Sequence, residues 1–182
     1  VSQLVDSASG IHTRHSPYYI RTVRTDVKDP LCTLLIDSGV PNEPDITNPS
    51  NVMVFSFPMK SPKYSLTRKD LSAIGQLELH GIYSKFWAEH KVSQTISVKE
   101  EEWLSVGSYV FDNFDDISGV SFLPYSDYIY KQAPYTECTK EEFDTLSKRM
   151  PEIDWRNLLK YETLDNTSGS QELACTAGSC EL

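Results

Sequence analysis

Gln94-Thr95-Ile96-Ser97-Val98, a helical period opening at about Lys99, and then Gly119-Val120-Ser121-Phe122-Leu123 make up the stretch that decides the fold. Both ends are short apolar and β-branched runs bounded by turn residues, which reads as strand, and the residues between them repeat at helical spacing. Ser97 and Glu100 stand at capping-box spacing, and Trp103, Leu104, Val110, Phe111 and Phe114 fall on one helical face. Strand, helix and strand in that order predict a parallel βαβ unit with a right-handed crossover. The fold class expected is α/β, a partial parallel or mixed sheet with flanking helices.

Working toward the N-terminus, Thr67-Arg68-Lys69-Asp70 resembles a helix cap, and Leu71, Ile74, Leu77, Ile82 and Phe86 carry the helical period to about residue 89. Before it, Val52-Met53-Val54-Phe55-Ser56-Phe57 is an apolar run that predicts a buried strand. The Pro- and Asn-rich residues 41–51 predict a loop. Leu31, Leu34 and Leu35, stopped by Gly39 and Pro41, predict a helix over about 30–38, and Tyr18–Thr25 alternates as a strand does. Val1 to Ala8 suggests a short helix ended by Ser9-Gly10, and the abrupt start without Met suggests a fragment.

Toward the C-terminus, Thr139 and Glu142 have capping-box spacing ahead of a helix that runs to about Met150. From about Thr163 onward the chain has almost nothing to bury, which predicts a mobile tail over 163–182. One folded region, 1–162, is expected to precede it.

A net charge of -9 with scattered Lys and Arg gives no electrostatic footprint for nucleic acid. Without an apolar run near the roughly 20 residues a membrane helix needs, no membrane partner is expected and the location expected is cytoplasmic. With 39% hydrophobic and 24% charged residues the composition is that of an ordinary globular protein. Cys32, inside an apolar run, reads as a small buried hydrophobe, whereas His12, His15, His80 and His90 show no metal spacing and read as surface or capping residues.

The chemistry-bearing feature is Cys175-Thr176-Ala177-Gly178-Ser179-Cys180. Four small residues between two thiols allow the Cα atoms to approach within the roughly 4.4 to 6.8 Å of a disulfide. The leash from Asp165 to Cys175 reaches about 33 to 36 Å when extended. A relay by thiol exchange fits both facts. A metal clip or an incidental surface pair is the alternative, and zinc is poorly served by two cysteines with no histidine nearby.

Such a terminal pair is similar to the regenerating tail of the adenosylcobalamin-dependent (class II) ribonucleotide reductases. The run Ala8-Ser9-Gly10-Ile11-His12-Thr13-Arg14-His15-Ser16-Pro17-Tyr18-Tyr19-Ile20-Arg21 resembles the segment after their substrate phosphate loop. Phe55-Ser56-Phe57-Pro58, Ser121-Phe122-Leu123-Pro124 and Gln132-Ala133-Pro134-Tyr135 resemble further family signatures in the same order. The separated Tyr125, Tyr128 and Tyr130 fit class II rather than class I, which places two adjacent tyrosines there.

The resemblance implies the last part of a ten-stranded α/β barrel in which adenosylcobalamin generates a thiyl radical that reduces a ribonucleotide. It implies that Cys175 and Cys180 carry electrons from thioredoxin or glutaredoxin to a buried disulfide. Val1, Ser2 and Gln3 would offer backbone N–H groups to substrate phosphates, although Ser2 also reads as an ordinary helix-start serine. Ser121, Phe122, Leu123 and Pro124 would end a barrel strand near the cofactor, although they also read as a plain core strand. The radical cysteine, the finger-loop Asn and Glu and the reducing pair have no counterpart here, so the remainder of the reductase is an implied partner. Two other readings stay open: a non-catalytic assembly subunit of a split reductase, and a free-standing dithiol redox protein.

Overall fold

The computed structural model describes residues 10–88, 90–125 and 131–162. The chain divides into two compact units, Val1–Tyr19 with Lys60–Ile129 and Ile20–Met59 with Tyr130–Leu182. Each is taken in turn through its described residues.

The first unit holds α2 (Ala73–Phe86), β4 (Gln94–Val98), α3 (Trp103–Asp112) and β5 (Val120–Pro124). Strands β4 and β5 pair in parallel, Gln94 opposite Val120 and Val98 opposite Pro124, as the strand-helix-strand order predicts. Helices α2 and α3 supply the apolar cover. Ala73, Leu77, Ile96, Val98 and Val106 form the buried cluster, with Ile74, Tyr109, Val110, Ile117 and Val120 packed against it.

The helix starts differ from the sequence expectation. Helix α2 is capped by Ser72, whose hydroxyl accepts from the Gly75 N–H at 3.1 Å. Thr67 and Asp70 instead close a local turn in which the Thr67 N–H donates to the Asp70 carboxylate at 2.7 Å. Ser97 and Glu100 make no box; one turn of 3-10 helix, Glu100–Glu102, precedes α3, and Glu102 reaches back to the Lys99 N–H at 3.0 Å. The other oxygen of Glu102 accepts from the Ala73 N–H at 3.0 Å, so one carboxylate joins the starts of both helices.

The buried faces differ too. Val106 is the buried residue of α3, while Leu104 and Phe111 are 90% and 82% exposed, and Phe114 also faces outward. Ile82 and Phe86 of α2 are exposed in the same way, and its buried face is Ala73, Gln76, Leu77 and His80. Apolar spacing marks a helix, yet by itself it does not say which apolar face meets the chain's own core.

The second unit is built on a four-stranded sheet in the order β2-β3-β1-β6, with β1 at Tyr18–Asp26, β2 at Asn42–Pro44, β3 at Val52–Lys60 and β6 at Tyr135–Glu137. Strands β2 and β3 run antiparallel. The expected strands at 18–25 and 52–57 are both present and slightly longer. The expected 41–51 loop contains β2, which is only three residues long and includes Pro44; β6 is equally short, and neither has enough residues to show a period.

Helix α1 (Pro30–Asp37) packs its Cys32, Leu34 and Leu35 inward, and Asp29 caps it by accepting from the Leu31 N–H at 2.8 Å. Cys32, Leu35, Val40 and Phe55 form the core, with Met53, Phe57, Met150 and Ile153 against it. Burial and the nearby Asp29 and Asp26 push the Cys32 thiol pKa up, so it is a packing residue, as its apolar run implies. Helix α4 (Lys140–Arg149) carries the expected cap: the Glu142 N–H donates to the Thr139 hydroxyl at 3.1 Å and the Thr139 N–H to the Glu142 carboxylate at 2.8 Å. The short α5 (Leu158–Tyr161) has no counterpart in the expectation; it meets α1, where the Tyr161 hydroxyl donates to Asp37 at 2.9 Å.

Candidate functional site

In a parallel ladder, alternate residues of a strand turn their backbone groups to opposite sides. The Gln94 N–H donates to the Gly119 carbonyl at 3.1 Å and the Tyr125 N–H to the Val98 carbonyl at 2.7 Å. That parity leaves Thr95 and Ser97 facing the far edge of β4. Side chains occupy that edge: His12 Nε2 accepts from the Thr95 N–H at 3.0 Å, and the Gln76 amide both accepts from the Ser97 N–H at 3.3 Å and donates to the Ser97 carbonyl at 3.4 Å. Gln76 thus stands in for a strand, which explains why a polar residue lies buried on α2.

The opposite edge belongs to β5, the strand that holds Ser121, Phe122, Leu123 and Pro124. These four residues are exposed rather than set in a core, Phe122 at 37% and Leu123 at 58%, so the plain core-strand reading does not hold for this chain. Gly119 directly precedes the strand with φ of +68°, and a Cβ there would lie 2.7 Å from the Val92 carbonyl oxygen. Only glycine fits that approach. Beside it, the Ser118 N–H donates to Nε2 of His80 at 3.4 Å. His80 is fully buried, contrary to the surface or capping role expected for it, and burial pushes its pKa down.

Lys99 and Tyr125 follow the C-terminal ends of the two parallel strands, the end at which open α/β sheets bind ligands. The Arg68 guanidinium lies over the Tyr125 ring at 4.9 Å and the Lys99 ammonium at 5.8 Å. Sequence reading missed this pairing because the three residues lie far apart in the chain. Among the described residues no group of His, Cys, Asp and Glu could hold a metal ion.

In the second unit the Gln132 of the Gln-Ala-Pro-Tyr signature has φ of +59° and makes a latch. Its side chain accepts from the Ile46 N–H at 3.0 Å and donates to the Pro44 carbonyl at 2.8 Å and to Glu43 at 2.9 Å. Its carbonyl accepts from Arg24 at 3.1 Å, and Arg24 in turn meets the buried Asp45 carboxylate at 2.7 Å. Hydrogen bonds from Thr47 and Arg24 hold the Asp45 carboxyl well below the usual carboxylate range. A carboxyl lowered on folding stabilises the fold above its unfolded pKa, and that contribution falls away as pH drops below it. Replacing Asp45 by Asn should therefore cost stability at pH 7, and the gap from the parent should narrow as pH falls below about 4. Urea titrations at the two pH values measure it.

Among the sequence-predicted site residues, Ser121, Phe122, Leu123 and Pro124 come together as β5. Val1, Ser2 and Gln3, Cys175 and Cys180, and the predicted tail over 163–182 lie outside the described residues. No helix among the described residues is long and apolar enough to cross a membrane.

No family model matches the chain. It is 32% identical over its whole length to a probable adenosylcobalamin-dependent ribonucleoside-triphosphate reductase of Dictyostelium discoideum, of which it covers 24%. It is 30% identical over 84% of its length to the adenosylcobalamin-dependent ribonucleoside-triphosphate reductase of Euglena gracilis, of which it covers 21%. A crystal structure of a B12-dependent (class II) ribonucleotide reductase superposes on 88% of the chain with a TM-score of 0.72 at 24% identity, and the match takes in 22% of that structure. The chain therefore spans about a quarter of the length of the relatives it matches.

Proposed function

Related over its whole length to about a quarter of the adenosylcobalamin-dependent ribonucleotide reductases, the chain is, we propose, the C-terminal portion of such an enzyme, active only together with the rest of it. The carrying observation is that identity runs through all of this chain and yet accounts for 24% of the relative. Two features of the first unit support it. A parallel pair exposed to solvent is rare, because parallel sheets are covered and extended by further elements. The exposed Leu104, Phe111 and Phe114 likewise form apolar surface that a complete protein covers.

In this reading residues 1–162 complete the reductase barrel and 163–182 form a redox tail. Val1, Ser2 and Gln3 present backbone N–H groups to the phosphates of a ribonucleotide. Ser121, Phe122, Leu123 and Pro124 offer an exposed, uncharged surface that fits packing against a corrin. Bound adenosylcobalamin supplies the radical that starts the reaction. This chain's own contribution to the chemistry is the tail. One thiolate of Cys175 and Cys180 attacks the disulfide formed in the active site, releasing one of its sulfurs as thiolate and leaving a mixed disulfide. The second tail thiolate then attacks the tail sulfur of that bond, which frees the other active-site thiol and closes a Cys175–Cys180 disulfide. Two electrons move inward, and a dithiol protein of the thioredoxin or glutaredoxin type reopens the tail pair.

A non-catalytic assembly subunit shares the docking surfaces and lacks the relay. Both readings predict association, and they separate on the relay: in the chain co-expressed with the complementary segment of the reductase, Cys175→Ser should stop turnover on a protein dithiol reductant, whereas a chain that only assembles would lose nothing. Co-purification of the pair as a single species is expected. A chain that stays alone, or that reduces a model disulfide at a useful rate by itself, contradicts the proposal.

A further inference from the structure

From Met150 onward the second unit turns one side of the chain to its core and the other to solvent. Met150 and Ile153 pack against the cluster of Cys32, Leu35, Val40 and Phe55. A 3-10 turn, Trp155–Asn157, then runs directly into α5. The polar side chains here bond within the unit: Arg156 donates to both oxygens of Asp154 at 2.8 and 3.0 Å, Lys160 to Asn157 at 2.7 Å, and the Tyr161 hydroxyl to Asp37 at 2.9 Å. Trp155 and Leu159, at the four-residue spacing of helical neighbours, are left 57% and 76% exposed. Trp is among the side chains most enriched at binding hot spots, and a braced segment holds it outward at little further cost in ordering.

We infer that Trp155 and Leu159 form the docking surface for the small dithiol protein that reopens the tail pair. The inference rests on the reading above and names where that partner is held. Position selects this occupant. The patch lies at the root of residues 163–182, and the 13 residues from Glu162 to Cys175 span about 43 to 47 Å when extended. A dithiol protein of about 100 residues has a radius of gyration of about 13 Å and is roughly 35 Å across. Docked on Trp155 and Leu159, it keeps its own thiols within reach of Cys175 and Cys180, and exchange becomes an intramolecular step at millimolar effective concentration. Size points the same way: two large apolar side chains suit the small interface of a transient redox encounter, whereas a permanent joining of segments buries far more surface. One thiolate of the docked protein opens the Cys175–Cys180 disulfide to a mixed disulfide, and its second thiolate resolves that bond. The tail leaves with two electrons and two protons as a dithiol, and the partner keeps a disulfide.

The test is turnover of the assembled reductase, this chain with its complementary segment, at varied concentrations of a protein dithiol reductant. Trp155→Ala should raise the KM for that reductant about tenfold with kcat held, and Leu159→Ser should raise it in the same sense. Turnover on a small dithiol reagent, the urea midpoint and association with the complementary segment should match the parent in both variants. The reductant with both its thiols replaced by Ser should still bind the assembled enzyme, and Trp155→Ala should weaken that binding about tenfold as well. An unchanged KM, a loss seen equally with the small dithiol, or a weakened association with the complementary segment overturns the docking assignment and leaves the relay reading standing. If replacing Cys175 or Cys180 by Ser leaves turnover on the protein reductant intact, the relay itself falls, and the docking surface with it.

Discussion

Replacing either Cys175 or Cys180 by Ser in the assembled reductase should stop sustained turnover while leaving the first round of product intact. In the proposed mechanism the first round draws on active-site thiols of the complementary segment. Every later round needs their disulfide reopened, and a single tail sulfur can form the mixed disulfide but cannot resolve it. A small dithiol reagent that enters the site directly should restore turnover in both variants, whereas a thioredoxin-type protein should not. Product counted per enzyme, with each reductant in turn, makes the measurement. Equal turnover of the Cys180→Ser variant and the parent on the protein reductant would remove the relay from the account.

The largest stability loss is expected in the second unit, from Phe55→Ala. Phe55 is fully buried on β3 and packs with Cys32, Leu35 and Val40. Truncating such a side chain removes its transfer free energy and leaves a cavity, together about 3 to 5 kcal/mol. That is a large fraction of the 5 to 15 kcal/mol that typically holds a domain folded, so the variant should show a strongly lowered urea midpoint or fail to fold. Phe111→Ala, on a similar side chain that is 82% exposed, should move the midpoint of the chain alone by less than about 0.5 kcal/mol. Similar losses from the two variants would mean that the assigned core is wrong.

That contrast also marks what the sequence could and could not tell. Where a local rule suffices, the reading is right: Thr139 and Glu142 cap α4 as their spacing says, and Cys32 packs as a small hydrophobe. The pairing of β4 with β5 followed from element order alone, because consecutive parallel strands need a crossover of this length. Cap spacing nevertheless misled at Thr67 with Asp70, which close a turn, and at Ser97 with Glu100, which make no box, and the other failures come where a residue serves a contact distant in sequence. Glu102 was invisible as a brace because its second partner, Ala73, lies on another helix. His80 and Gln76 look like surface residues in composition, yet each satisfies a backbone group of another segment. Leu104, Phe111 and Phe114 carry the same apolar signal as core residues, and periodicity does not separate a core face from an interface face.

The candidate site divides along the same line. Cys175 and Cys180 stand out in the sequence as a closely spaced thiol pair and lie outside the described residues, so their role stays a proposal. The Arg68, Lys99 and Tyr125 contacts were not legible, because only the fold brings them to the strand ends.

The most direct test of the account is deoxyribonucleotide production by this chain mixed with the complementary segment, with and without adenosylcobalamin, beside each polypeptide alone. The account predicts product from the mixture with adenosylcobalamin and none from either part or from the mixture without it. Reduction by the complementary segment alone at the rate of the mixture, or a folded and associated mixture that forms no product, would contradict it.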